Sequence, residues 1–404
     1  MLVRALALLS AAASAAAIAS SAGGADPGVS ASEIVLGATG PLSGPESAYA
    51  PVLNGANAYF RYVNDHGGVF GRKIVYRIED DGFEPAQTVD LTRKLVEQED
   101  VFAIFNSVGT PHALAVRPYL NQLGVPQLFV GSGADSIAAG QAQYPWTIAM
   151  LPSFTGEGAI YGRYLARSLP RAKIGVLYED SEYGSNLLAG LRRGLGPQAA
   201  HVVATESYEV SDVSVASEVA SIRAAGADTF VLCASPKQAI QAFVAAARAG
   251  WKPHYVVASP AIDPFVMKVV RLTAGADVGE GAVSSGWLRD PTDPALAKSP
   301  GVKLYRLILR RYLPNADPNA LAHLYGITVA YVMTDALRHA GPNPTRASLL
   351  RAVQHLQERD NPFFIPGVAI RMQPGRVFPV TSTRLLRFSK GFWRPFGTLQ
   401  RTSP

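Results

Sequence analysis

From Glu33 onward, short apolar runs rich in β-branched residues alternate with segments whose apolar residues recur at helical spacing. The first run, EIVLGA, precedes a segment that places Val52, Ala56, Tyr59 and Val63 on one face of a helix. Similar pairs repeat as far as VPQLFV, and a second series begins at AKIGVLYED. Repeated strand and helix pairs predict a parallel sheet with helices on both faces. Two such series therefore predict an α/β protein made of two doubly wound lobes.

The pattern changes after EGAVSSGW, where long helical segments follow one another without strands between them. The last part of the chain contains only two short predicted strands, GVAIRM and TRLLRF. A chain that crosses between the lobes more than once would explain helices without strands so late in the sequence. We expect residues 33–151 and 288–362 in lobe 1, and residues 152–287 and 363–404 in lobe 2.

The N-terminus has the pattern of a secretory signal peptide over residues 1–25. Arg4 precedes an apolar run, which is followed by the small residues that permit cleavage. No later run reaches the roughly 18 apolar residues that indicate a transmembrane helix. We therefore expect an exported, soluble protein that is located in the periplasm.

Composition and charge exclude several classes of protein. With 48% hydrophobic and 17% charged residues, the 404-residue chain is not expected to be disordered. The net charge of +6 is spread along the chain, and the mild basic bias near its end predicts a solvated face, so we expect no nucleic-acid partner. The single cysteine, Cys233, lies in the apolar run DTFVLCAS, which predicts a buried strand and no intramolecular disulfide.

The sequence contains no motif that requires catalysis or a cofactor. No GxGxxG follows a predicted strand, no Walker loop is present, and no serine lies in GxSxG. The seven histidines show no spacing typical of metal ligands. The four acids of EDDGFE predict a solvated loop whose charges favour the next helix N-terminus. We expect no cofactor, no metal and no catalytic residue.

Small polar residues follow several of the predicted strands. The loop GATGPLSGPESAYA joins the first strand to the first helix, and Ser107, Gly109 and Thr110 follow a later strand, with Thr110 as the predicted helix N-cap. Open amides at helix starts favour negative charge. Because parallel strands end at one edge of a sheet, we expect such loops from both lobes to form a cleft around a small polar-headed molecule. The remaining candidates in these loops are Tyr49, Gly131, Ser132, Gly133, Tyr183, Ser235, Ser259 and Asp263.

Several segments resemble a known family. GPLSG, GANAYFRYVNDHGGVFGRKI, EDDGFEPAQTV and YEDSEYG resemble the substrate-binding proteins of branched-chain amino-acid type ABC transporters, which are leucine-binding-protein-like type I periplasmic binding proteins. The resemblance runs from about Glu33 to Gly341. It implies two Rossmann-like lobes joined by a hinge of three crossovers, with the ligand trapped between them.

The resemblance also implies roles for the loop residues. Tyr49 is similar to a tyrosine that packs on the ligand, and Gly109 and Thr110 fall where the family offers a serine and amides to a carboxylate. Residues 131–133 fall where the family uses a carbonyl for an ammonium and a threonine for a carboxylate; Gly133 takes the threonine position, with Ser132 beside it.

In lobe 2 the resemblance is less complete. Tyr183 matches the family's second-lobe tyrosine, and Ser235 lies near another aromatic position. Ser259 stands where amino-acid binders carry the acid that pairs with the ligand ammonium. A buried ammonium needs an opposite charge or several acceptors, so an α-amino acid ligand is not favoured unless Asp263 reaches into the cleft.

The resulting hypothesis is a monomeric solute-binding protein of an ABC importer, which captures a small carboxylate or amide, such as an amino acid or an aromatic or aliphatic acid. Hinge closure would then present the ligand to a membrane permease. The alternative is a ligand-sensing receptor of the same fold that reports to a signalling partner. A third class, an α/β hydrolase or another enzyme, would require turnover of the bound ligand.

Overall fold

The computed structural model describes residues 26–402, so the predicted signal peptide lies outside the described residues. The strands are β1 Glu33–Gly40, β2 Lys73–Asp80, β3 Ala103–Phe105, β4 Gln127–Val130, β5 Thr147–Ala149, β6 Ile174–Glu179, β7 Val202–Tyr208, β8 Thr229–Cys233, β9 His254–Val257, β10 Val283–Gly286, β11 Gln357–Glu358, β12 Ile370–Arg371, β13 Ser382–Ser389 and β14 Phe392–Arg401. The α-helices are α1 Ala50–Asp65, α2 Pro85–Glu97, α3 Thr110–Gln122, α4 Asp135–Ala139, α5 Phe154–Ser168, α6 Glu182–Leu195, α7 Ala216–Ala224, α8 Pro236–Arg248, α9 Pro264–Ala274, α10 Pro300–Tyr312, α11 Leu321–His339 and α12 Arg346–Gln354.

Each lobe is built on its own sheet. The first sheet has five parallel strands in the order β2-β1-β3-β4-β5, and its register runs from Glu33 opposite Lys73 to Gly40 opposite Asp80. The second has seven strands in the order β14-β13-β10-β9-β8-β6-β7. Its strands β6 to β10 pair in parallel, and β13 and β14 add an antiparallel edge. Both sheets therefore follow the predicted alternation of strands and helices.

The chain passes between the sheets three times. It leaves the first sheet after β5, and α5 then packs against α6 in lobe 2. After β10 it returns to lobe 1, where α10 and α11 pack on α1. It finally re-enters the second sheet as β13 and β14. These passages explain the late helices and confirm the predicted fold of two Rossmann-like lobes, although the residue limits given above for the lobes stay a prediction.

The apolar runs of the central strands form the buried core. Cys233 is buried at the end of β8, as its neighbours predict, and burial raises the pKa of its thiol. None of the helices described between residues 26 and 402 combines the length and apolar character needed to span a bilayer.

Glycines allow α1 and α11 to approach closely in lobe 1. A Cβ atom on Gly55 would lie 2.3 Å from the carbonyl oxygen of His323, and one on Gly326 would lie 1.9 Å from that of Val52. We expect Gly326→Ala to lower the free energy of unfolding by about 1–3 kcal/mol, because the helices would have to move apart. Urea denaturation measures this. The exposed neighbour of Gly55, Asn54, provides the control, since Asn54→Ala should change stability by less than about 0.5 kcal/mol.

Candidate ligand-binding cleft

A cavity of about 400 Å³ lies between the lobes. Its walls come from the loops that follow β1, β3 and β4 in lobe 1, and from those that follow β6, β8 and β9 in lobe 2. These are the carboxyl ends of the parallel strands, where open α/β sheets bind ligands. A volume of this size suits a small organic molecule.

Most of the cavity wall is apolar and aromatic. Phe154 and Tyr183 pack edge to face, with ring centroids 4.9 Å apart. Trp287, which follows β10, and Tyr325 of α11 form a similar pair, with ring centroids 5.9 Å apart. Rigid aromatic walls favour a ligand with an apolar or aromatic body, because binding removes the apolar surface of the ligand and that of the wall from water.

Lobe 1 contributes Tyr49, Gly109, Thr110 and Gly131 to the cavity wall, all of which the sequence predicted as candidates. The N-cap of α3 is Gly109, with φ 108°, so α3 begins at Thr110, one residue earlier than predicted. The first-turn amides of a helix have no intrahelical acceptor, so this helix start is suited to a negatively charged or carbonyl oxygen.

Three other candidates of lobe 1 lie behind the cavity wall. The Ser107 hydroxyl accepts a hydrogen bond from the amide of Thr39 at 3.2 Å. The Ser132 hydroxyl lies 2.7 Å from that of Thr110 and holds its side chain in place. A Cβ atom added to Gly133 would lie 2.0 Å from the carbonyl oxygen of Pro152 and 3.0 Å from the Phe154 ring, so only glycine fits here. Ser107, Ser132 and Gly133 are therefore placed to support the residues that form the wall.

The predicted site residues of lobe 2 also line the cavity, but their polar atoms already have hydrogen-bond partners within the protein. These residues are Tyr183, Ser235, Ser259 and Asp263. The Tyr183 hydroxyl donates to the carbonyl oxygen of Ala234 at 3.2 Å. Ser259 donates its amide and its hydroxyl to Glu157, both at 2.7 Å. Glu157 is buried on α5, so its carboxyl group fixes the loop that carries Ser259.

Asp263 joins the two lobes. One carboxyl oxygen accepts the amide of Phe265 at the start of α9, and the other accepts the amide of Ala322 in α11 of lobe 1 at 2.9 Å. Burial raises the pKa of Asp263 to about 6, although both amides oppose the shift. Its oxygens are thus occupied by backbone amides.

Two carboxyl groups that sequence reasoning missed also line the cavity. Glu46 lies in the first loop of lobe 1 and is completely buried, with Oε1 3.2 Å from the Ser235 hydroxyl of lobe 2. Glu179 ends β6 and accepts hydrogen bonds from Ser181 at 2.8 Å and Tyr208 at 3.2 Å. Burial raises the pKa of Glu46 to about 7, and the charge of Glu179 adds to the effect.

The wall is rich in acids. It contains Glu46, Glu179, Asp263 and Asp317, and no lysine or arginine contributes to it in the part of the chain that the structure describes. Burial lowers the pKa of His323, also in the wall, to about 4, so this imidazole is neutral at pH 7. No cluster of three His, Cys, Asp or Glu side chains suited to a metal occurs within residues 26–402.

A sequence profile described as "Periplasmic binding protein" matches residues 33–389. The chain belongs to this family. It is 26% identical over 270 residues to Leu/Ile/Val-binding protein homolog 7 of Brucella abortus (strain 2308), with 63% of this chain and 67% of the relative covered.

Two solved structures share the fold. A branched chain amino acid ABC transporter protein from Thermus thermophilus, with bound valine, has a TM-score of 0.81 at 18% identity and covers 92% of this chain and 97% of its own. A solute binding protein of an ABC transporter from R. palustris, in complex with 4-hydroxybenzoate, has a TM-score of 0.76 at 17% identity, with 92% and 98% covered.

These findings confirm the family and the fold predicted from the sequence. Substrate-binding proteins of ABC transporters bind small ligands and interact with a permease, and the family implies a periplasmic location. A solute-binding role is therefore supported for this chain.

Proposed function

We propose that this protein captures one small organic ligand between its lobes and delivers it to the membrane permease of an ABC importer. The observation that carries this proposal is the cavity of about 400 Å³ that both lobes enclose. The aromatic wall would hold the apolar body of the ligand, and the start of α3 would hold a carboxylate or amide oxygen. The protein would act by binding and lobe closure, without catalysis.

The bound molecules of the two similar structures agree with this ligand class. Valine and 4-hydroxybenzoate are both small carboxylates with an apolar or aromatic body, and each is bound by a protein of the same fold. The aromatic groups in the present cavity favour ligands of this size and shape.

Trp287 provides a direct test, because its ring lines the cavity. We expect a ligand from a library of amino acids, aromatic acids, aliphatic acids and amides to change the tryptophan fluorescence and to raise the melting temperature. Trp287→Phe should remove most of the fluorescence change. The matched control is Trp251→Phe, since Trp251 packs on Phe230 inside lobe 2 and does not line the cavity. Failure of every compound to stabilise the protein would contradict the proposal.

A further inference from the structure

Glu46 carries a carboxyl group that is enclosed where the two lobes meet. The residue lies in the first loop of lobe 1 and is fully buried, and its Oε1 atom lies 3.2 Å from the hydroxyl of Ser235, the N-cap of α8 in lobe 2. Its Oε2 atom has no hydrogen-bond partner among residues 26–402. A buried carboxylate with so few donors is unfavourable, because loss of water penalises its charge. The protonation state of Glu46 therefore depends on whether Ser235 can donate to it.

Ser235 has one hydroxyl hydrogen and three neighbouring oxygens on other side chains. Its Oγ atom lies 2.6 Å from Oε1 of Gln238, 3.2 Å from Oε1 of Glu46 and 3.3 Å from the Tyr208 hydroxyl. The orientation of the Gln238 amide is fixed, because its Nε2 atom donates to the carbonyl oxygen of Val210 at 3.2 Å. Ser235 therefore donates its hydrogen over the shortest distance, to Gln238. The contact between Ser235 and Glu46 then needs a hydrogen that Glu46 itself carries.

The second buried acid of this cluster, Glu179, has donors of its own. Its Oε1 atom accepts the Ser181 hydroxyl at 2.8 Å, and its Oε2 atom accepts the Tyr208 hydroxyl at 3.2 Å. Tyr208 accepts the amide of Ser235 at 2.9 Å and so cannot donate to Glu46 as well. The negative charge of Glu179 also opposes ionisation of Glu46. Of the two carboxyl groups, the arrangement favours Glu46 as the protonated one.

The remaining charged and titratable neighbours do not reverse this preference. Lys237 of α8 is a cation whose charge acts on Glu46, but its Nζ atom donates to the carbonyl oxygen of Asp212 at 3.2 Å. Burial raises the pKa of the Tyr49 hydroxyl further above its ordinary value, so this phenol is neutral at pH 7. Burial and the charge of Glu179 raise the pKa of Glu46 to about 7, against the opposing effects of Ser235 and Lys237.

Resting on the proposed function, we propose that closure of the lobes takes up one proton from the solvent at Glu46, so that the protein captures its ligand more tightly in acidic solution. When the lobes separate, Ser235 and Gln238 move away with lobe 2, and water reaches the Glu46 carboxylate. When they close, an O–H bond forms at Oε1 and donates to Ser235, and a neutral group is buried. Glu46 is thus a positioning residue that acts through lobe closure and requires no contact with the ligand.

The direction of the pH dependence follows from the two states of Glu46. Its pKa is taken as the ordinary value of 4.5 in the open protein and is about 7 in the closed protein. The contribution of the proton to closure is therefore complete below pH 4.5 and is lost as the pH rises to about 7. The affinity should fall by up to about tenfold per pH unit across this window and level off above it.

Calorimetry measures the affinity and also the number of protons taken up, when each titration is repeated in buffers with different enthalpies of ionisation. The probes are L-valine, L-leucine, L-phenylalanine, 4-methylpentanoate and 4-hydroxybenzoate, whose carboxyl groups are ionised between pH 5.5 and pH 8.5. For every probe that binds, we expect uptake of about one proton near pH 6 and of almost none at pH 8.5. The affinity should be at least about tenfold higher at pH 5.5 than at pH 8.5.

Glu46→Gln replaces the acid with a group of the same shape that stays neutral at every pH. Its amide N–H can donate to Ser235 as the protonated acid does. We expect this variant to take up no proton, and to bind each probe at pH 8.5 at least about tenfold more tightly than the unaltered protein does.

Glu182→Gln is the matched control, because the Glu182 carboxylate also joins the lobes. It accepts the amide and the hydroxyl of Ser136 at 2.9 and 2.7 Å, so both of its oxygens act as acceptors. An amide group there loses one acceptor. This variant should weaken every probe alike at all pH values and keep the proton uptake.

Each outcome decides the proposal. Binding of the probes without proton uptake near pH 6, or proton uptake that persists in Glu46→Gln, would overturn the role of Glu46 and leave the solute-binding function intact. The measurement on the unaltered protein decides the first point even if the variant does not fold. Absence of binding by every probe would contradict the proposed function together with this inference.

Discussion

Glu157→Ala is expected to lower the free energy of unfolding by about 3–5 kcal/mol. The Glu157 carboxyl group is buried on α5 and accepts three hydrogen bonds, two from Ser259 at 2.7 Å and one from the Tyr161 hydroxyl at 2.6 Å. Truncation to alanine removes this acceptor from the partly buried Ser259 and from the buried Tyr161, and opens a cavity between α5 and the loop after β9. Urea denaturation of the ligand-free protein measures the loss.

The control is Glu157→Gln, which retains a carbonyl oxygen in the same place. Burial raises the pKa of Glu157, which reduces the difference between its carboxyl group and a neutral amide at this site. We therefore expect a smaller loss, about 1–2 kcal/mol. Equal stability of the alanine variant and the unaltered protein would show that these hydrogen bonds contribute nothing to lobe 2.

The strands and helices that alternate locally could be predicted from the sequence. Each strand and helix pair shows its own period, so the series β1 to β4 and β6 to β9 were recognisable without knowledge of their packing, whereas the three-residue strand β5 was missed. The position of α11 was not recognisable in this way. It depends on the close approach of Gly55 to the carbonyl of His323, a contact between distant parts of the chain that leaves no periodic signal.

Residues of the cavity wall could be predicted where a single loop determines their position. Tyr49, Thr110 and Tyr183 follow strand ends, and they line the cavity for that reason. Glu46 was missed although it lies in the first loop, because its contact with Ser235 of the other lobe joins distant parts of the chain and leaves no local signal in the sequence.

The acids of EDDGFE are a second case in which contacts between distant residues could not be predicted from the local sequence. They were interpreted as a solvated loop, which is wrong for Asp81, since its side chain is buried and accepts the Thr88 hydroxyl at 2.8 Å. Asp80 accepts the amides of Leu42 at 2.9 Å and Ser43 at 3.1 Å. It therefore stabilises the first loop of the cleft, a role that depends on the pairing of β1 with β2.

Gly109→Ala is expected to weaken ligand binding by about 100-fold, or about 2.7 kcal/mol. Gly109 has φ 108° and ψ 135°, a backbone conformation that residues with a Cβ atom adopt only with strain. The added Cβ atom would also lie 2.2 Å from Nδ1 of His112, whose buried ring packs against Phe83 with ring centroids 4.2 Å apart and so has little room to move. The start of α3 must then shift, and its amides would no longer meet the ligand oxygen.

The comparison with Gly131 makes this prediction specific to the start of α3. Gly131 also lines the cavity, but it has no positive φ, and its Cβ atom would meet neighbours at 3.4 Å or more. We expect Gly131→Ala to bind the ligand within about threefold of the unaltered protein, because an ordinary van der Waals contact requires no movement of the backbone. Calorimetry on both variants, with a ligand that stabilises the unaltered protein, decides between the explanations. An equal loss in the two variants would mean that any added methyl group in the wall prevents binding, and the geometry of the α3 start would then have no special role.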